Sequence, residues 1–250
     1  MSLAVKYLFL VAVGILLTNA PCHADAPSTP FRYAFSCPER DPSSVCIFGT
    51  IPQGKPVALI AGDWKSSAVP KEEFPNTDFD NGFKTITRLQ VAVPPPKDAF
   101  MIAVLAAAET VSLLPLKEVQ DQAVVGRIGQ YLEGTKDLKT ASDLHEPTKT
   151  RLLRLSPTIL LSETFLTPSD GGGELSIGCV YCEVIPMLVG QDLTDLFAKI
   201  RAPNTCGGIK FAFALSGRPH LVSFAQSCES DSFSATLIHD LSGKQPKRVF

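Results

Sequence analysis

Ile209-Lys210-Phe211-Ala212-Phe213-Ala214-Leu215-Ser216-Gly217-Arg218-Pro219-His220-Leu221-Val222-Ser223-Phe224 is the stretch that decides the fold class. In an extended chain Ile209, Phe211, Phe213 and Leu215 fall on one face, and Lys210, Ala212 and Ala214 on the other, a period of two that belongs to β-structure. Ser216-Gly217-Arg218-Pro219 carries turn chemistry and Leu221–Phe224 resumes the apolar run, so an antiparallel hairpin is predicted. With Gly217 and Arg218 as the loop, Cys206 falls opposite Glu229, one step from Cys228, which suggests a disulfide between Cys206 and Cys228. His220 alternates with apolar neighbours and reads as a strand residue with a satisfied ring nitrogen.

The same period extends outward along the chain. Val57–Ala61, Lys84–Val93, Ala99–Ala107, Val111–Leu114, Thr158–Thr167, Glu174–Cys179 and Phe233–His239 read as strands bounded by Pro, Gly or Asp. Pro94-Pro95-Pro96 ends one of them, because proline lacks the N–H that a ladder needs. Helical spacing occurs in Gln191–Arg201, through Leu193, Leu196, Phe197 and Ile200, and in Glu118–Leu132, through Val124, Ile128, Tyr131 and Leu132. Residues 133–150 are polar and without a period, and read as a long surface connection that can divide two subdomains. The fold expected is mainly β, with sandwich-like antiparallel sheets, one or two short helices and disulfide staples.

Residues 1–24 read as an export signal: Lys6, an apolar run from Leu8 to Leu17, then Cys22-His23-Ala24 before Asp25. The run is about half the length a membrane-spanning helix needs. Without it, 25–250 forms one β-rich domain of 226 residues with a net charge of −3 and no later transmembrane segment. The whole chain, at 45% apolar and 19% charged, is not a disordered composition, and a pI near 6.1 offers no basic face for nucleic acid. The expected location is the periplasm or the outside of the cell.

Six cysteines remain after the signal, an even number that suits an oxidising compartment. Cys37 and Cys46 flank a turn-forming Pro38–Ser44 stretch, so Phe31–Ser36 and Val45–Thr50 can run side by side and bring the two together. Cys179 and Cys182 either pair with each other or reach Cys206 and Cys228. The spacing of Cys179 and Cys182 also resembles a zinc half-site, which Cys206 and Cys228 could complete, but export favours oxidation. His145, His220 and His239 are too dispersed for a histidine metal motif. Asn76–Gly82 departs from a calcium loop at Asn81 and Thr87 and reads as a turn. No Gly-x-Ser-x-Gly elbow or phosphate loop occurs, so no metal, cofactor or catalytic residue is assigned. The sharpest enzyme alternative is a thiol–disulfide oxidoreductase centred on Cys179 and Cys182, with Gly217–Phe224 compared to a thioredoxin-type cis-proline segment, although Pro186 would interrupt the helix such a site requires.

An order of short features resembles the invasion-associated locus B family of exported bacterial proteins. Cys37 and Cys46 follow the signal, then Gly54-Lys55-Pro56-Val57-Ala58-Leu59-Ile60, then Val111-Ser112-Leu113-Leu114-Pro115. Cys179 and Cys182 precede the helix bearing Leu193, Leu196 and Arg201. Phe213 through Gly217-Arg218-Pro219 to Val222-Ser223-Phe224, with Phe233-Ser234-Ala235, resembles the family's final strands. The likeness covers about two-thirds of the chain in pieces. It departs in the close spacing of Cys179 and Cys182, in an insertion over 126–157, and in the extra Cys206 and Cys228. The resemblance implies a β-rich periplasmic or surface protein with a protein partner and no catalytic residue.

Overall fold

The computed structural model describes residues 29–37, 41, 43–52, 54–77, 83–134, 145–168, 183–188, 205–227, 234–243 and 246–250. Six strands come first: β1 (Phe31–Ser36), β2 (Ser44–Phe48), β3 (Val57–Ala61), β4 (Trp64–Pro75), β5 (Thr85–Val91) and β6 (Met101–Val104). They close into an antiparallel barrel in the order β1-β2-β5-β4-β3-β6, with β6 returning to β1 through Phe31 opposite Val104 and Ala34 opposite Met101. The expectation of sandwich-like sheets is therefore corrected over this half of the chain. Closure follows from two features. The lumen is filled by small side chains (Ala34, Ala61, Ala68, Ala103) interleaved with Val45, Ile47, Val57, Leu59, Leu89 and Met101, so it is narrow enough to be solid. Strand β4 is long enough to bend, and does so at an unpaired Lys71, where the register against β5 shifts between Pro70 and Glu72. Pro70 sits beside that bulge and beyond the last β3 pair at Ala68, so it has a ladder partner on the β5 side alone.

Val57–Ala61 is buried along its whole length. Val57, Leu59 and Ala61 fill the barrel, while Ala58 and Ile60 point outward into a second core. Met101–Val104 is double-faced in the same way, which is why both segments read as unbroken apolar runs.

The second core joins the barrel to a five-stranded antiparallel sheet. The remaining elements are β7 (Val111–Leu114), β8 (Lys117–Val119), α1 (Gln122–Gly134), β9 (His145–Ser156), β10 (Ile159–Pro168), β11 (Glu183–Leu188), β12 (Thr205–Leu215), β13 (Arg218–Ser227), β14 (Ser234–Asp240) and β15 (Lys247–Arg248). The five-stranded sheet runs β15-β14-β13-β12-β7, and a four-stranded sheet runs β11-β10-β9-β8. Phe31, Ile60, Ile102 and Val104 of the barrel pack on Val111, Phe211, Phe213, Val222 and Ile238. The opposite face of the same sheet, through Ile209, Ala212 and Leu221, packs on Leu153 and Leu161 of the four-stranded sheet. Lys65 pins barrel to sheet by donating to the carbonyls of Ala108 (3.0 Å) and Val111 (2.7 Å).

The hairpin of β12 and β13 forms, with two corrections. Its loop is Ser216-Gly217, both at positive φ (50° and 79°), the backbone of a tight twisted turn, and Arg218 already pairs with Leu215. The register then shifts between Ile209 and Phe211, leaving Lys210 as a bulge. Ile209 is thereby rotated to the four-stranded sheet while Phe211 and Phe213 face the barrel, so the four apolar residues of β12 do not share one face. Cys206 consequently lies opposite Gln226, not Glu229.

Other boundaries moved for local reasons. The second helical segment starts at Gln122, not Glu118, because Asp121 caps it by accepting the Val124 N–H (3.0 Å) and Lys117–Val119 pairs with β9. The polar connection expected over 133–150 ends early: His145–Thr150 belongs to β9, whose backbone continues its ladder with β10 as far as His145 opposite Pro168. The helix expected over Gln191–Arg201 and the strand over Glu174–Cys179 lie outside the described residues, as do the export signal and the loop centre 78–82.

Candidate functional site

Cys37 and Cys46 form a disulfide with Cα atoms 5.1 Å apart, closing the β1–β2 connection. Strand pairing places them there, since Phe35 lies opposite Cys46 and Ser36 opposite Val45. Cys46 is fully buried and Cys37 nearly so, beneath Ile86 and the rings of Phe35, Phe48 and Phe74. Cys206 is placed by its backbone in β12. Cys179, Cys182 and Cys228 lie outside the described residues. Among the described residues no three His, Cys, Asp or Glu side chains are grouped as metal ligands. Residues 183–188, directly after Cys182, form strand β11 against β10.

His220 and His239 are both buried in the five-stranded sheet. His220 is buried, stacks on Phe213 (5.1 Å between centroids, 13°) and meets Phe31 edge-on, with Nδ1 2.9 Å from the Arg218 carbonyl. Burial pushes its pKa down, against the Arg218 carbonyl and the Asp240 charge, which favour the proton. Burial, and secondarily the Arg248 charge, lowers His239 to about 4. The Asn76 segment is a turn at its described ends: Asn76 donates through Nδ2 to the Phe83 carbonyl (2.7 Å), and its N–H to that of Lys84 (3.0 Å).

The feature that the structure assembles and the sequence reading missed is a file of six aromatic rings that starts on β13 of the five-stranded sheet and continues along the outside of the barrel. It runs Phe224–Phe100–Tyr33–Phe35–Phe48–Phe83, with successive centroids 5.7, 5.8, 6.3, 4.6 and 5.5 Å apart. Tyr33 and Phe35 share a face because they are two apart on β1, and Phe48 is brought alongside by the β1–β2 pairing. Phe83 enters from the loop before β5. The ring pairs Tyr33–Phe35 and Phe48–Phe83 are nearly parallel, at 18° and 14°. Cations flank the file: Lys210 lies 5.6 Å from the Phe224 ring, and Arg88, ion-paired with Glu72, lies 5.6 Å from Phe74 beside Phe48. Tyr33 remains 39% exposed and Phe83 36%, although aromatic rings of this size normally withdraw from water. The spacing Tyr33-x-Phe35 on a strand expected to pair with Phe48's was the one signal available in the sequence.

Compared with protein-family models, with curated proteins and with solved structures, the chain matches none.

Proposed function

We propose that this chain is an exported, non-enzymatic β protein that binds a protein partner at the cell envelope or outside the cell, and that the aromatic file is its contact surface. The observation that carries this reading is the file itself: contiguous, built on Tyr33 and Phe35 of β1, Phe48 of β2 and Phe224 of β13, and left partly in water at Tyr33 and at Phe83 of the loop before β5. Rigid aromatics cost little entropy to immobilise and dominate interface energetics, and cations at their flanks are typical of an interface rim. The Cys37–Cys46 bond supports an oxidising compartment, in keeping with the export signal read over residues 1–24 and with the locus B resemblance. Strand β11 after Cys182 supports the binding reading over an oxidoreductase, because a thioredoxin-type site needs a helix there to stabilise its thiolate. Pro219, moreover, is in the β13 ladder opposite Ala214 with a trans peptide bond.

Photo-crosslinking in an exporting host tests the proposal. A benzophenone side chain at position 33 or 83 should give the same discrete protein adduct, and one at Val69, an exposed residue of β4, should not. Absence of an adduct at both file positions, or an equal one from Val69, refutes it. Recovery of a chain starting at Asp25 from the exported fraction checks the location.

A further inference from the structure

Strand β7 lies at the edge of the five-stranded sheet: β12 pairs with it on one side, and among the described residues no strand pairs with it on the other. The direction of its backbone groups follows from one bond. The Ser216 N–H is donated to the Thr110 carbonyl (2.8 Å), and successive residues of a strand turn their backbone groups to opposite sides. Thr110, Ser112 and Leu114 therefore face β12, and Val111 and Leu113 face away from it. Val111 is satisfied there: its N–H is donated to the Ala108 carbonyl, and its own carbonyl accepts from Lys65 Nζ at 2.7 Å. Leu113 differs. Among the described residues its outward N–H and C=O have no partner. Pro115, the next residue in the outward series, brings a carbonyl alone.

The open pair on Leu113 borders a cleft of about 360 Å³. Lys65 reaches Val111 from β4, so the β3–β4 hairpin stands opposite the β7 edge, and its Gly62-Asp63 turn forms the far wall of the cleft. Phe211 and residues 113–116 add apolar walls. Leu113 and Phe211 belong to the core against the barrel, and Leu114 and Leu116 to the core between the two open sheets, so apolar surface lies on both faces of the edge. The volume is near the lower end of the range for small-ligand sites. With the hairpin opposite, it takes a short extended segment and not the edge of a folded second copy. An unpaired donor and acceptor on one edge residue, with apolar surface above and below, is the template for an added strand: main-chain bonds hold the guest and its alternate side chains fill the two faces.

We propose that β7 is a peptide-binding edge, which takes a short apolar segment of a partner protein as an added antiparallel strand. One guest residue exchanges both of its backbone bonds with Leu113, and the residue two before it donates to the Pro115 carbonyl. The paired residue's side chain lies on the Leu113 and Phe211 face, and its neighbours' side chains lie on the Leu114 and Leu116 face. The inference does not rest on the aromatic file.

The full chain is titrated by calorimetry with the pentapeptide Lys-Val-Leu-Val-Lys, acetylated and amidated so that its ends carry no charge. Saturation with a Kd on the order of 0.1 mM is expected. Two doubly N-methylated forms of this peptide, equal in composition, read the bonding mode. Methylation of both valines blocks one edge of the guest and leaves the other, so affinity should stay within about threefold. Methylation of the first valine and the leucine blocks both edges and should weaken binding at least about tenfold, the worth of one or two backbone bonds. On the protein, Leu113→Pro removes the N–H from the open edge, and Leu116→Glu puts a charge on the half-buried wall. Each should weaken binding about tenfold, while Val69→Lys, on exposed β4 surface, should not change it. Circular dichroism checks the fold, and should Leu113→Pro fail to fold, Leu116→Glu and the two methylated peptides decide. No saturation by about 5 mM, equal binding of the two methylated peptides, or unchanged affinity in Leu116→Glu overturns the proposal. So does a dimer in sedimentation that the pentapeptide does not dissociate, which would pair the edge with a second copy.

Discussion

Replacing Glu163 tests how the two open sheets are held together. Its carboxylate is 2% exposed on β10. Oε2 accepts from Arg151 Nε (3.0 Å) and Nη2 (2.5 Å), and Oε1 accepts the Ile209 N–H across the sheet interface (2.6 Å). Glu163→Ala removes all three bonds. It strands the Ile209 N–H, which the bulge has already taken off the ladder, at a cost of about 1–3 kcal/mol. It also leaves the Arg151 guanidinium without its carboxylate; at 34% exposure that group can recruit water, so the further cost is nearer 1 kcal/mol than the 3–5 kcal/mol of a fully buried pair. The expected total is about 3 kcal/mol. Glu163→Gln keeps an acceptor for Ile209 and should lose only about 1 kcal/mol. Urea unfolding followed by far-ultraviolet circular dichroism reads the difference: with a slope near 2–3 kcal/mol per molar, the Ala variant's midpoint should fall by roughly 1–1.5 M. A loss below about 1 kcal/mol for Glu163→Ala, or equal losses for Ala and Gln, would refute the claim that the carboxylate serves the Ile209 amide.

Three further outcomes are expected. Replacing Cys37 and Cys46 together by Ser releases a loop of sequence separation 9 and should cost about 2.5 kcal/mol, measured as the gap between unfolding curves of the oxidised parent and the variant. The depressed pKa values of His220 and His239 make the unfolded chain the better proton acceptor, so their contribution is complete above about pH 6.5 and is lost as pH falls through the folded values, about 4 for His239. His239 alone should account for on the order of 3 kcal/mol of that loss, and His239→Leu should flatten the stability profile between pH 6.5 and 4. Gly217→Ala, at φ 79°, should lower stability by about 1 kcal/mol, and Ser216→Asn should leave it equal or slightly higher, both read as shifts in Tm.

Local signals carried much of the fold. Val111–Leu114 and Val57–Ala61 were readable to the residue because their apolar runs end at Pro115 and Gly62. The Cys37–Cys46 pairing followed from turn chemistry between two short strands. Trp64–Pro75 went unread because its inward positions, Ser66 and Ala68, are small, and its second half, with Pro70, Lys71, Glu72, Glu73 and Pro75, is mostly charged or proline, a pattern that suits a narrow lumen but hides a strand. Closure itself has no local signal, since it depends on β6 pairing with β1 some seventy residues earlier. The Lys210 bulge was equally invisible: the alternation of Ile209 with Phe211 looks regular, and only the Glu163 contact, from 46 residues away, shows that it is broken. The aromatic file failed to register for the same reason, being assembled from five segments.

Strands β3 and β6 have no solvent side, and this has a consequence for how the molecule comes apart. A fragment ending at Leu105 would retain every barrel strand yet expose Phe31, Ala58, Ile60, Ile102 and Val104 as one continuous oily wall. The barrel is therefore not an excisable module, despite its closed hydrogen bonding. Loss of the five-stranded sheet strips one face from the same strands that line the lumen, so both halves should open in a single event. In native-state hydrogen exchange the amides of Leu59, Ile60, Ile102 and Ala103 should exchange only by global unfolding, alongside those of Phe213 and Val222 across the seam.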